Sequence, residues 1–393
     1  MSEIDQLKTE LAKRMGVSIN HARIVRSPYR ICPIGAHIDH QLGSVTAMTI
    51  DRAVHLAYVP TDTLDVRLKS LSFEGTVQFS FTSISGKQNG DWGNFPRGAA
   101  WALQQAGHKL IRGITGLTSG SMGEGGLSSS AAIGIAYLLA LEHANDLTVS
   151  PSNNIHLDQA IENGYLGLKN GILDQAAILL SQKGYLTCIN CKTATHELIP
   201  QTMPPFDILI AFSGLRKALV ATGYNARVEE CAAAARILLA ATGQSHQIPL
   251  LGFVTHEEYE MHKHKLTGDI AKRAQHFFSE SARVAKGVEA WQKGDLKTFG
   301  HLMAESGQSS IENYECGSPP LIDLYHMLIH TDGVYGARFS GAGFRGCCVA
   351  FVDPQKSESA VAHVQSTYAK KYPELSQNAP VFTCQPDDGA RIL

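Results

Sequence analysis

Between residues 23 and 82, apolar and polar side chains alternate in short runs, RIVRSPYRICPIG, AVHLAYV, LDVRLKSL and TVQFSF. This period of two sends successive side chains to opposite faces of a strand. A sheet is therefore predicted to open the fold. The period then lengthens, and residues 96–107, 130–146 and 155–167 are predicted helices, the second rich in Ala and Leu. MSEIDQLKTELAKRM, ahead of the strands, reads as a charged amphipathic helix. After a proline-marked strip at 200–205, FDILIAF has the length and composition of a buried strand. Long helical patterns follow at 223–242, 269–291 and 295–311, and strand-like sequence returns near 337–352. The change in composition at 195–205 predicts a domain boundary, with an N-terminal domain over 1–198 and a C-terminal domain over 199–393. No internal repeat or low-complexity segment stands out, and the alanine-rich stretch 231–241 suits a tightly packed helix.

Composition narrows the function more than the fold. A chain of 393 residues exceeds one ordinary core, and 44% hydrophobic with 18% charged residues is a globular balance. A formal net charge of -2 provides no basic field for nucleic acid or a membrane surface, so small-molecule chemistry is the expectation. No apolar run reaches transmembrane length and the first residues lack an apolar signal core, which predicts a cytosolic protein. The eight cysteines fit reduced core thiols; Cys188 and Cys191 form a C-x-x-C without the second pair a zinc site needs.

Four segments carry candidate chemistry. The first is GSMGEGGLSSSAA at 120–132, a glycine-rich run leading into a helical pattern. Its backbone can approach a ligand closely, and the helix that follows aims unpaired N–H groups and the positive dipole end at the loop, a place for phosphate. The Ser130 hydroxyl suits Mg2+ or a phosphate oxygen, although the same pattern fits a capped helix after an ordinary loop. No Lys follows the glycines, so this is not a Walker A loop, and the spacing is not a dinucleotide fingerprint. The second is SPYRICPIGAHIDHQLG at 27–43, where Pro33 and Gly35 break the strand and Arg30, His37 and Asp39 supply the charge and hydrogen bonds that a polyol beside a phosphate needs. A solvated surface turn is the plainer reading of that segment. In the third, NGILDQ at 170–175, Asp174 sits among apolar neighbours at a helix start, either as a cap or as the acceptor of a substrate proton with Arg30 as its charge partner. Glu162, twelve residues earlier, is a hard oxygen ligand that can meet Ser130 at Mg2+, or simply a solvated helix residue. The fourth is ARFSGAGFRGCCVAFVD at 337–353, a second glycine-rich loop running into a strand, or a glycine-rich hairpin.

In this order the motifs resemble those of the galactokinase, homoserine kinase, mevalonate kinase and phosphomevalonate kinase superfamily, and its sugar branch most of all. The galactokinase pattern P-G-R-V-N-L-I-G-E-H-T-D-Y-N-G-G falls on Pro28 to Gly43 without a gap. The resemblance continues through DWGNFPRG at 91–98, GLSSSAA, Glu162 to Gln175, GYNARVEEC at 223–231 and LMAESGQSSIENYECGSP at 302–319. It implies an α+β fold of two domains with the active site in the cleft between them, and ATP with Mg2+ as cofactors. It further implies that Asp174 acts on the acceptor hydroxyl, that Arg30 stabilises developing charge, and that Ser130 and Glu162 hold Mg2+. His37, Asp39 and Tyr224 would then address sugar hydroxyls, and Gly123, Gly125, Gly126, Leu127, Ser128, Ser129 and Ser130, with Trp92, would bind ATP.

The departures from that pattern bear on the substrate. Ala36 replaces the Glu that galactokinases place beside the C6 hydroxyl, which suits a sugar already carrying a carboxylate there. Arg345 replaces a Gly in the late loop and offers a bidentate partner for that carboxylate or for phosphate. Tyr29, Cys32, His40 and Glu124 also depart, and His40, Tyr29 and Arg97 are further candidates for the carboxylate. SPYRICPIGAHIDHQ and ARFSGAGFRGCC closely resemble the galacturonate-specific branch. The implied reaction is ATP-dependent phosphorylation of the anomeric hydroxyl of D-galacturonate, with galactose or arabinose as alternative acceptors and a non-catalytic sugar and ATP sensor as a further alternative. The implied partners are a sugar acid and ATP, and the sequence is silent on oligomeric state.

Overall fold

A computed structural model describes residues 3–120, 125–215 and 221–393. Gly123 and Glu124 of the first glycine-rich segment lie outside the described residues. The predicted amphipathic helix is α1 (Glu3–Met15), whose Leu7, Leu11 and Met15 recur every four residues and pack on Ile24, Ala57 and Leu117. The alternating runs become β1 (Arg23–Ile31), β2 (Ser44–Pro60), β3 (Asp65–Ser70) and β4 (Thr76–Ser80). Pro28 has no N–H for the ladder, and the β1–β2 register jumps from Pro28↔Ala53 to Arg30↔Thr49. That irregularity falls where β1 must present Arg30.

α2 (Asn94–Gln105), β5 (Ile114–Ser119) and α3 (Ser129–Ala144) come next. α3 is buried on almost all sides, as an Ala- and Leu-rich helix without a polar face must be. The helix predicted over 155–167 is two pieces, α4 (Pro151–Gln159) and a π turn over Ala160–Tyr165. Ser150 caps α4 by accepting from the Asn153 N–H. After α5 (Leu173–Leu180) come β6 (Tyr185–Asn190) and β7 (Thr195–Pro200), so the expected boundary at 198 falls inside a strand. β6 pairs with both β2 and β7.

FDILIAF supplies β8 (Asp207–Phe212), buried from Ile208 onward. A helical stretch follows: α6 (Ala221–Ala241), α7 (His256–His262), α8 (Gly268–Gln292), α9 (Leu296–Glu312) and α10 (Pro319–Ile329). Then come β9 (Val334–Phe339), β10 (Cys347–Val352), α11 (Ser357–Lys371), the short α12 (Pro373–Ser376) and β11 (Val381–Cys384). The chain finally returns to the first sheet as β12 (Pro386–Asp387) against β2 and β13 (Arg391–Ile392) against β1. One sheet runs β13-β1-β2-β5-β3-β4, with β12, β6 and β7 attached, and the other β11-β8-β10-β9. Every pairing among described strands is antiparallel except β3 with β5. No described helix is long and apolar enough to cross a membrane.

Candidate active site

A cleft of about 420 Å³ brings the separate motifs onto one wall. From the first sheet, Arg30 at the end of β1 donates from Nε to Asp174 Oδ1 at 2.7 Å, and its Nη2 lies 2.7 Å from the same oxygen. The Ser128 hydroxyl donates to Asp174 Oδ2 at 2.5 Å. Asp174 stands in the first turn of α5, where the dipole favours a carboxylate, and its side chain keeps 21% of its exposure. It is thus held at both oxygens yet open to the cleft. Arg30 is buried; burial works against its charge, and Asp174 more than restores it. The sequence suggested the Arg30–Asp174 pair but assigned Ser128 to the nucleotide.

The two glycine-rich loops interlock beside this pair. Gly126 has φ +95°, and a Cβ there would come 2.9 Å from Cys347 Sγ; Gly341 has φ +69°, and a Cβ there would come 2.8 Å from Gly126 Cα. Only glycine permits both the turn and the approach at these positions. The carbonyl of Gly126 accepts from Ser340 Oγ at 2.6 Å and from Arg30 Nη1 at 3.3 Å, which locks the loop to the cation. Arg345 Nε lies 4.0 Å from the point a Cβ on Gly125 would occupy, so this guanidinium stands over the first glycine loop. Ser128, the residue before α3, has φ +57°, an uncommon conformation for a non-glycine residue, and α3 begins at Ser129 beside the cleft.

Behind the loop lies a concentration of buried acids. The π turn carries Glu162, 1% exposed, whose Oε2 accepts from Asn170 Nδ2 and, at 2.8 Å, from Gln175 Nε2. Burial and the neighbouring Asp174 push Glu162 up to about 7, against the hydrogen bond from Ser130. Asp158, fully buried, is raised well above the usual carboxylate range by burial and by Glu162 and Asp174. Carboxylates crowded in this way, with a hydroxyl at the cleft, form an all-oxygen set that suits a hard divalent cation. Among the described residues no group of three or more His, Cys, Asp or Glu is placed to hold a metal alone.

A further end of the cleft wall is lined by His37 and Asp39. His37 has φ +59° and stacks on Tyr314, with ring centroids 4.2 Å apart and planes 4° from parallel. Its Nε2 lies 3.6 Å from Cys316 Sγ. Burial holds His37 well below its ordinary range, reinforced by His276, Arg338, His40 and Arg30. Asp39 is raised to about 6 by burial and by Asp174, and packs against the backbone of Gly171. Tyr224 from α6 completes this end and meets His40 edge-on.

The structure gathers Arg30, His37, Asp39, Gly125, Gly126, Ser128, Ser129, Ser130, Glu162, Asp174, Tyr224 and Arg345 on the cleft wall. Leu127 and Ala36 are buried off the wall, Leu127 offering its carbonyl to the Arg30 N–H. Trp92 also stands off the wall, stacked with Phe73 and donating to the Glu74 carbonyl. Arg97 pairs with Asp91, Tyr29 is buried near Gly120, and His40 contacts Tyr314, so none of these three faces the cleft. Asn170 and Gln175, the two amides that bound NGILDQ, hold Glu162, a role that the sequence does not mark beyond their closeness to Asp174.

The profile of the GHMP kinases N terminal domain matches residues 94–182, and that of the GHMP kinases C terminal matches residues 288–370. Galacturonokinase from Arabidopsis thaliana is 52% identical over 417 residues, covering 100% of this chain and 98% of that protein. Galactokinase from Roseiflexus sp. (strain RS-1) is 32% identical, covering 93% and 92%. Among solved structures, Lactococcus lactis galactokinase complexed with galactose superposes with a TM-score of 0.92 at 27% identity, covering 99% of this chain and 100% of that one. Methanococcus jannaschii mevalonate kinase shares the fold, with a TM-score of 0.65 at 17% identity over 93% and 98%.

Proposed function

The chain belongs to the sugar-kinase branch of the GHMP kinases, and on that premise we propose that it transfers the γ-phosphoryl group of ATP to the anomeric hydroxyl of D-galacturonate. The observation that carries the acceptor is the full-length 52% identity to a galacturonokinase, well above the 32% to a galactokinase, together with Ala36 where galactokinases have Glu. Without that carboxylate, a sugar carboxylate meets one like charge fewer at this end of the cleft.

In this mechanism Asp174, held from opposite sides by Arg30 and Ser128, accepts or orients the proton of the C1 hydroxyl while Arg30 offsets the charge that develops. Ser130 and Glu162 would hold Mg2+, which supplies charge neutralisation on the phosphates when bound. The interlocked glycine loops and the start of α3 receive the phosphates, and Arg345, standing over Gly125, takes a phosphate in preference to the sugar carboxylate. His37, Asp39 and Tyr224 line the part of the cleft that would receive the sugar and would address its hydroxyls. A division into domains over 1–198 and 199–393 belongs to this reading, and β12 and β13 pair back into the first sheet.

The test is a side-by-side assay of galacturonate, glucuronate, galactose and arabinose with MgATP. Galacturonate is expected to exceed galactose in kcat/KM by at least about tenfold, or roughly 1.4 kcal/mol. Equal or better use of galactose would overturn the uronic-acid assignment and leave a sugar kinase. Binding of sugar and ATP without turnover would instead favour a sensor.

A further inference from the structure

Past β1 the segment from Cys32 to Ala36 keeps a backbone bond to β2, from the Thr46 N–H to the Ile34 carbonyl at 2.9 Å, but its other buried N–H and C=O groups need other partners. Side chains provide them. Thr46 of β2 accepts from the Ile34 N–H at 2.9 Å and donates from the same hydroxyl to the Ile34 carbonyl at 2.7 Å. Arg338 of β9 donates to the Cys32 carbonyl at 3.0 Å. The most complete arrangement is at position 36. Glu280 Oε1 accepts from the Gly35 N–H at 2.7 Å and from the Ala36 N–H at 2.8 Å, and His276 Nε2 pairs with the Ala36 carbonyl at 2.8 Å.

His276 and Glu280 lie four residues apart on α8, so one face of one helix reaches both backbone groups of Ala36. Neither side chain is loosely held. Glu280 also accepts from Ser306 Oγ at 2.5 Å and from Arg283 Nε at 2.7 Å, and His276 Nδ1 meets Ser309 Oγ at 2.9 Å. Burial raises Glu280, but Arg283, His276 and Arg338 outweigh it and hold the carboxylate down at about 2. A buried carboxylate with this many donors keeps its charge and its geometry. The next residue in the chain is His37, left-handed and on the cleft wall, followed two residues later by Asp39.

We propose that Glu280 and His276 are positioning residues for the acceptor sugar: by fixing residue 36 at its N–H and its C=O, they set the left-handed turn at His37 and the placement of His37 and Asp39. The inference rests on the sugar-kinase reading and is independent of which sugar is accepted.

The experiment compares Glu280→Ala, Glu280→Gln and His276→Ala in the full chain, each with its melting temperature and separate Michaelis constants for sugar and ATP. Glu280→Ala leaves two backbone donors unpaired and is expected to raise the sugar KM at least about tenfold while the ATP KM stays within about twofold. Glu280→Gln keeps an acceptor oxygen and is expected to recover most of the sugar affinity. A lower melting temperature with both Michaelis constants unchanged in the folded fraction would overturn the proposal, as would equal rises for sugar and ATP. If Glu280→Ala does not fold, His276→Ala decides the matter: a raised sugar KM supports the clamp and an unchanged one overturns it. The wild-type preference among sugars decides the galacturonate assignment separately, so failure of either reading is recognisable on its own.

Discussion

Asp174 is the residue whose environment most constrains the chemistry, because its oxygens are held from opposite sides while its side chain still opens to the cleft. Changing it to Asn preserves shape and removes both the charge opposite Arg30 and the proton acceptor. Asp174→Asn is expected to lower kcat by about 10²–10⁴-fold, the usual contribution of a positioned acid or base, with ATP affinity by calorimetry close to wild type. Turnover near the wild-type rate would remove Asp174 from the chemical step. The charged members of this constellation were legible in the sequence, since a carboxylate set among apolar neighbours, as in NGILDQ, demands a partner. Ser128, Glu280 and His276 were not. A serine beside a glycine loop looks like phosphate chemistry until its hydroxyl is seen on Asp174, and nothing local in RAQHFFSESARV marks two side chains as serving a backbone about 240 positions away.

At the scale of elements, α5 is the support for Asp174 and Gln175, and its far end is closed by the returning tail. Gly389 N–H donates to the Ser181 carbonyl at 2.8 Å and Ala390 N–H to the Ile178 carbonyl at 2.7 Å, giving partners to carbonyls that a helix end leaves free. A Cβ at Gly389 would come 2.8 Å from the Ile178 carbonyl oxygen and 3.1 Å from that of Ser181. Gly389→Val is therefore expected to cost about 1–3 kcal/mol of stability, seen as a lowered melting temperature. The folded fraction should lose kcat with the Michaelis constants little changed, because the variant disturbs the helix under Asp174 and not the walls that hold substrate. A variant with wild-type melting would show that the tail does not brace α5. Patterning predicted the long helices and β1 to β4, where one periodicity runs over an element, and left β5 unread. It joined α4 to a π turn, since a segment as short as Ala160–Tyr165 spans too few turns to show a period of its own. It left α10 and α11 unread and could not foresee the two-strand return at the end, because a two-residue strand carries no period at all.

The whole molecule carries more buried acid than its net charge suggests, and this sets how its stability responds to pH. Glu142 is 5% exposed, pairs with Asn154, and is pushed up to about 7 by burial; Asp158 is raised further beyond its usual range. For each, the folded state holds the proton more tightly than the unfolded chain, so stability falls as pH rises from the unfolded value near 4 through the folded one. The buried histidines oppose this on the acid side. His37, His40 and His276 are all lowered by burial, His40 to about 4, so the unfolded chain takes up protons first and stability falls as pH drops below about 6.5. Between about pH 6.5 and 8 the unfolded histidines shed the half charge they still carry at pH 6.5, which favours the fold by about 0.4 kcal/mol each, while the raised acids Glu142, Glu162 and Asp158 lose their protons and disfavour it by more, so the acids decide the sign. The melting temperature of the ligand-free protein is expected to be higher at pH 6.5 than at pH 8, with Glu142 alone contributing on the order of 1 kcal/mol to the difference. Glu142→Gln keeps the shape and removes the titration; it should raise stability at pH 8 and shrink the difference between the two conditions. A slope of the opposite sign across that window, or one that Glu142→Gln leaves unchanged, would mean that Glu142 is ionised in the fold and paired more strongly than its environment of Asn154 and apolar side chains allows.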